Sequence, residues 1–400
     1  MAKIKKLWQF KEPEKSYDVV IIGGGLHGLA TAYYLARYHH VKRIAVLEKR
    51  HLGYGGSGRN TEMVRSNVRA AAILPFYKEC LAMWDELSAE LEWNLMVNKK
   101  GLVVPAHSEV ELAGMRMRRD TQMRAGIKIN MLTPEEIKKM VPSIDISDKP
   151  ALPIVGGYYH PEGGTLHHDA AVWGYAKGCY ENGVDLCVGV EVTGFNLENG
   201  KVTGVKTNKG DITANKVHVA VGGYSSDVTK MVGITLPVVT RPMQVIVTEP
   251  MKPFLDHYVA FERVMFYTQQ TLKGDLIIGG HMDPWQSWNN AYTTFEEISH
   301  RAYKILQYFP DLANVRIMRT WSGICDMCVD SSPVMGGCDI DGLSLDVAWG
   351  YYGYKSVPGC GKYMAEHIVT GQMPEKIKPF AFERFYTRDL VPEVILPKNC

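Results

Sequence analysis

The sequence predicts an α/β (α+β) chain: a doubly wound, dinucleotide-binding domain interleaved with a second domain of mixed antiparallel sheet and helices. Three observations carry this. An apolar run, Val19 to Ile22, leads at once into Gly23, Gly25 and Gly28 in the spacing G-x-G-x-x-G, and then into a helical pattern. With 400 residues, 46 % of them hydrophobic, the chain can bury a large core and exceeds the usual length of one compact domain. Near its end a second strand pattern, Leu343 to Ala348, meets Gly350 and Gly353 and another helical stretch, so the chain returns to the first domain.

Each glycine of the first turn has a separate reason. Gly23 permits the tight turn, Gly25 lets backbone approach a pyrophosphate, and Gly28 lets the helix of Leu29, Ala30, Tyr33 and Leu35 pack on the strand. The helix directs amide groups and its positive dipole end at the anion. A second apolar run, Ile44 to Leu47, ends in Glu48, about 20 residues past the last glycine, where a carboxylate accepts hydrogen bonds from a ribose. This pattern leaves NAD and FAD equally open.

The loop 51–67 is rich in glycine and polar residues and carries Arg59 and Arg65. Helical spacing then recurs over 74–91 and 110–123, and Thr133-Pro134 with Glu136 is a capping-box start for a helix to Met140. The stretch 156–169 reads as turn-forming, ahead of a helix from Ala170 to Tyr180. His160, His167 and His168 lie in it, but adjacent histidines diverge and no ligand spacing accompanies them, so no metal site is expected. From Val190 to Val221 alternation and the turns Asn199-Gly200 and Lys209-Gly210 predict a three-stranded meander running into a buried strand that ends in Gly222. Strand patterns recur at 244–247, 265–268 and 276–278, and a helix over 295–309 stops before Pro310. Lys355 precedes a final helix predicted from Pro358. These patterns divide the chain into 17–80, 151–240 and 330–390 for the dinucleotide domain, and 81–150 and 241–329 for a substrate or cap domain.

The net charge of +2 carries no nucleic-acid footprint. Eight scattered cysteines resemble free thiols of a reducing compartment more than a secreted framework, and the basic start at Lys3, Lys5 and Lys6 is not followed by a leader's apolar core. No run is long enough to span a membrane, so a cytoplasmic protein acting on small molecules is expected.

The meander in place of a crossover helix is similar to that of FAD-binding proteins of the glutathione-reductase type, which implies FAD. Further, GGGLHGLATAYYLARYHHVKRIAVLEK, RNTEMVRSN, GGTLHHDAAVWGYA, KGDLIIGG, AWGYYGYKSVPGCG and KPFAFERF occur in order from Asp18 to Arg384. Together they resemble the beta-subunit family of heterotetrameric sarcosine oxidase, within the flavin-dependent amine oxidases and dehydrogenases related to glycine oxidase. The resemblance implies non-covalent FAD on Gly23, Gly25, Gly28, Glu48, Arg59, Thr61, Val192, Gly222 and Gly353. It also implies a covalent FMN on His168, the histidine of a GxxxxHDxxxW-like motif. Arg65 and Lys355 take the positions that hold a substrate carboxylate, and His281 is a candidate for substrate selection. A larger NAD- and folate-binding alpha-type subunit and small subunits are implied as partners.

Three departures bear on the reaction. Gly323 stands where single-chain relatives attach FAD to cysteine, and Ile277 where they carry an oxygen-activating lysine. Tyr351 and Tyr352 replace smaller residues and are expected to narrow the pocket. The expected function is oxidation of a sarcosine-like N-methyl or cyclic amino acid to an imine, with electrons passing to FMN. Open alternatives are a self-sufficient FAD amino-acid oxidase, a proline, hydroxyproline or N-methylglutamate dehydrogenase subunit, and a non-catalytic flavoprotein module.

Overall fold

The computed structural model describes residues 7–280, 282–283 and 291–393. The first of two eight-stranded sheets runs in the order Val334–Gly337, Leu343–Val347, Gly210–Val219, Ser16–Ile22, Ile44–Glu48 and Asp185–Val188. Along this path neighbours are parallel except at the Val334–Gly337 edge. Ser16–Ile22 lies inside this sheet with both faces covered. Val19 and Ile21 join one core with Leu29 and Tyr33, whereas Val20 and Ile22 join another with Phe195 and Val205. A strand buried on both faces needs a continuous apolar run, and each such side chain contributes about 1.5–3 kcal/mol. The strands Val192–Glu198 and Lys201–Thr207 complete the meander with Gly210–Val219.

Helix Leu26–Tyr38 covers one face and crosses helix Gly353–Thr370 closely. A Cβ at Gly361 would lie 2.7 Å from that of Ala30, so small residues set the separation. The glycine turns at the starts of these two helices therefore meet.

The second sheet runs Ile317–Cys328, Val238–Thr248, Leu276–Gly280, Phe266–Gln270, Tyr258–Phe261, Leu102–Ala106, Gly156–His160 and Asn130–Leu132. It is antiparallel except where Tyr258–Phe261 pairs with Leu102–Ala106. Helices Glu109–Arg124, Pro134–Met140 and Phe295–Tyr308 accompany it, and the capping box of Thr133 and Glu136 forms in both directions. No helix among the described residues is long and apolar enough to cross a membrane.

Two expectations change. Gly156–His160 is a strand of the second sheet, paired with Leu102–Ala106 and Asn130–Leu132, although 151–240 was assigned to the first domain. Its glycines serve close approach: a Cβ on Gly157 would lie 2.4 Å from the Val104 carbonyl oxygen. The last helix begins at Gly353, five residues before Pro358. As the sixth residue, Pro358 lacks the amide that would bond the Tyr354 carbonyl, and nearby the Ser356 hydroxyl donates to the carbonyls of Tyr352 and Gly353.

Candidate active site

The first glycine turn is held by contact as well as by hydrogen bonds. Gly23 has φ 110°, and a Cβ there would lie 2.3 Å from the Ala220 carbonyl oxygen. A Cβ on Gly28 would lie 2.1 Å from the carbonyl oxygen of Gly23, so the third glycine closes strand and helix together. Ser57 accepts from the Leu26 amide at 2.8 Å and fixes the loop against the helix start. Glu48 accepts from Gly24 N at 2.9 Å and from Arg50 N at 2.8 Å. Both bonds orient the carboxylate and leave lone pairs for a ribose.

A cavity of about 610 Å³ runs from this turn to the second sheet. Gly23, Gly25, Glu48, Arg59, Thr61, Arg65, Val192, Gly222, Gly353 and Lys355 all line it. Gly28 lies beneath the turn, His168 lies outside the wall, and His281 falls outside the described residues. Gly55, Gly56 and Gly222 line the same cavity with nothing within 4 Å of where a side chain would stand. Bare backbone, an acid and a helix start along one channel fit the pyrophosphate and ribose of FAD.

At the far end, Arg65 donates through Nη1 to the Asn67 carbonyl at 3.0 Å and to Asn67 Oδ1 at 2.9 Å. Its Cζ lies 5.8 Å from the Tyr352 ring centroid, and Lys355 Nζ lies 4.9 Å from the same centroid. Lys355 is buried and donates to the Tyr351 carbonyl at 2.6 Å. Burial, reinforced by Arg65, pushes its ammonium well below the usual lysine range. Arg65 is the fixed positive charge of this end, and a carboxylate bound beside it favours the charged form of Lys355.

The second glycine turn is pinned from two strands. Asp326 accepts from Ala348 N at 2.7 Å and Gly350 N at 3.3 Å. His27 faces Asp346 Oδ2 through Nδ1 at 2.9 Å and the Gly353 carbonyl through Nε2 at 3.0 Å. Among the described residues His27, Asp346 and Cys360 bring three ligating atoms within 4.8 Å of one another. Both imidazole nitrogens already face acceptors, and, against the effect of burial, the Asp346 carboxylate shifts the ring toward its protonated form.

His168 opens the helix His168–Glu181, with Nδ1 3.1 Å from Glu62 Oε1 and Nε2 3.5 Å from Asp169 Oδ1. Glu62 also lines the cavity, so His168 touches a residue of its wall.

Three detailed expectations meet the geometry differently. Tyr351 lines the cavity, but Tyr352 turns into the core, where its hydroxyl donates to Glu393 at 2.8 Å; only one tyrosine narrows the pocket. Ile277 is buried within its strand and does not line the cavity. Gly323 and Cys325 both line it, and burial pushes the Cys325 thiol up to about 12, so it stays a weak nucleophile. Sequence reading missed Asn67, Asp326, His27 and the Arg69–Glu262–Arg118 cluster. Asn67, two residues after Arg65 in the loop 51–67, and His27, inside the first glycine turn, carried a signal of position; Asp326 and the cluster carried none.

A doubly wound sheet, two glycine turns and a cavity ending in buried cations define the class: an oxidoreductase that binds FAD. The chain belongs to the family described as "DAO: FAD dependent oxidoreductase", which matches residues 18–367. Within it the chain groups with sarcosine oxidase subunit beta. That of Rhodobacter capsulatus is 36% identical over 98% of this chain and 94% of its own length. That of Rhizobium meliloti is 37% identical over 96% and 92%. Among solved structures, L-proline dehydrogenase from P. horikoshii superposes with TM-score 0.88 at 27% identity, covering 94% of this chain and 100% of that one. Glycine oxidase from Bacillus cereus gives 0.80 at 25% identity, covering 95% and 100%. The chain is an FAD-dependent amine oxidoreductase.

Proposed function

We propose that this chain oxidises a secondary amino acid to an imine, as the catalytic, FAD-bearing beta-type subunit of a hetero-oligomer. The observation that carries this is the convergence of Arg65 and Lys355 on one end of the FAD cavity. Arg65, braced by Asn67, and Lys355 bind the substrate carboxylate and so fix the carbon next to nitrogen toward the cofactor. FAD, held without a covalent bond, supplies the acceptor for the hydride equivalent from that carbon. The nitrogen loses its proton and the C=N bond forms. The positive end disfavours a protonated amine, which cannot give up the hydride. His281 would contribute to substrate selection.

His168 is proposed as the attachment point of a covalent FMN that receives the electrons. Its support is the His168-Asp169 pair four residues before Trp173, which is 43% exposed, and the approach of the ring to Glu62 of the cavity wall. A larger NAD- and folate-binding alpha-type subunit and small subunits are the proposed partners. The described cysteines are all free thiols, which supports a cytoplasmic setting. For the domain plan, 17–80, 151–240 and 330–390 form the FAD-binding part and 81–150 and 241–329 the substrate part, with Gly156–His160 moved to the latter.

Anaerobic addition of secondary amino acids to the holoprotein tests the reaction. Bleaching of the flavin band at about 450 nm is expected, and Arg65→Met should weaken substrate binding by about 2–5 kcal/mol. No bleaching by any of them, with the complex assembled, would leave a non-catalytic flavoprotein.

A further inference from the structure

The cavity holds more cationic groups than one substrate carboxylate needs. Arg65, Arg69, Arg118 and Lys355 all line it, against Glu262 as the acid at that end. Glu262 is saturated by the protein. Its Oε2 accepts from Arg69 Nη2 at 2.6 Å and Arg118 Nη2 at 3.1 Å, and its Oε1 from Arg118 Nη1 at 3.5 Å and the Tyr158 hydroxyl at 3.3 Å. Burial would raise its carboxyl, yet Arg118, Arg69 and Arg65 hold it down to about 2, so it stays ionised.

Arg118 is therefore spent on a two-pronged bond to Glu262, whereas Arg69 gives it one nitrogen. Among the described residues Arg69 Nη1 and Nε have no protein acceptor, and neither do Arg65 Nη2 and Nε. The second acid nearby, Glu393, is buried behind the loop, on the amides of Arg69 and Ala70 and the Tyr352 hydroxyl. Three guanidinium groups and Lys355 thus face two carboxylates, and two of the planar forks, both on the cavity wall, keep nitrogens without a protein acceptor. A monocarboxylate occupies one of them.

We propose that the substrate is a secondary amino acid bearing a second carboxylate, and that Arg69 binds that second group while Arg65 binds the first. An arriving anion also favours the charged form of Lys355, which burial alone disfavours. Arg118 and Glu262 act as positioning residues, fixing the Arg69 fork at the cavity wall. This rests on the amine-oxidising reading above.

The test compares N-methyl-L-aspartate with N-methyl-L-alanine as anaerobic reductants of the flavin in the holoprotein. The dicarboxylate is expected to give a second-order reduction rate at least about tenfold higher, since a site built for a polar group rejects the analogue lacking it. In Arg69→Gln this ratio should collapse toward one, and Arg69→Lys, which keeps charge without the fork, should give an intermediate ratio. Retention of the full ratio in a folded, flavin-loaded Arg69→Gln would overturn the assignment of Arg69. Equal or faster reduction by N-methyl-L-alanine would overturn the proposal while leaving amine oxidation standing. Reduction by neither would overturn both.

Discussion

His27 Nε2 lies 3.0 Å from the carbonyl oxygen of Gly353, so a residue inside the first glycine turn is tied to the first residue of the helix that carries Lys355. The other nitrogen faces Asp346, whose second oxygen accepts from Trp349 Nε1 at 2.5 Å. Burial opposes charge on both groups. The mutual attraction of imidazolium and carboxylate wins, raising the histidine and lowering the aspartate. Because the folded value of His27 is raised, its stabilisation is complete below the ordinary histidine value of about 6.5 and is lost as pH climbs through the folded one. Asp346 behaves oppositely, losing its contribution only as pH falls through its lowered value. His27→Gln should therefore cost several kcal/mol, about 3–5, at about pH 6, and the gap to wild type should narrow toward about pH 9. Thermal unfolding of both proteins across that range measures it, and a gap that does not change with pH would count against the imidazolium.

Lys355, whose value is lowered rather than raised, makes a second pH prediction. Its ammonium is disfavoured in the empty site, and a bound carboxylate favours it, so binding takes up a proton between the two values. The dissociation constant of an amine-free carboxylate such as propionate should rise by up to about tenfold per pH unit in that window. Titration calorimetry in buffers of differing ionisation enthalpy reads the proton directly. In Lys355→Met the pH slope should vanish; persistence of the slope would assign it elsewhere.

Gly28 tests the construction of the cofactor turn without touching the cavity. A methyl group there would lie 2.1 Å from the Gly23 carbonyl oxygen, which is backbone and cannot rotate aside. Gly28→Ala should cost about 1–3 kcal/mol or more and reduce FAD retention, read by gel filtration with flavin absorbance. Full FAD occupancy at unchanged stability would contradict this close packing.

For His168 the discriminating measurement is acid precipitation. With a covalent FMN, part of the flavin stays with the pellet and maps to the His168 peptide, and in His168→Asn it does not. Complete release of flavin from wild type would remove the second flavin and leave a self-sufficient FAD enzyme.

The legible parts of this protein are those whose causes are local. Gly23, Gly25, Gly28 and Glu48 could be read because a tight turn and an oriented acid need fixed residues at fixed spacing. The Thr133–Glu136 capping box and the meander turns formed as their sequences require. Gly156–His160 misled because glycine marks a turn and a close backbone contact equally well. Pro358 misled because proline usually marks the first turn of a helix, whereas here it lies inside one and removes a single backbone bond.

By itself, the sequence determined a buried parallel strand, a glycine turn and the flanking helices, and its resemblance pointed to Arg65 and Lys355 as candidates for a carboxylate. Only the tertiary structure decided that both cations share the Tyr352 ring, that Tyr352 points away from the cavity, and that His27 bridges two glycine turns. It alone brought Glu262 to Arg69 and Arg118, 193 and 144 residues away along the chain. Periodicity and turn chemistry act over a few residues, whereas charge pairing acts through space. Its partners are fixed only when two sheets and their helices pack around one cavity.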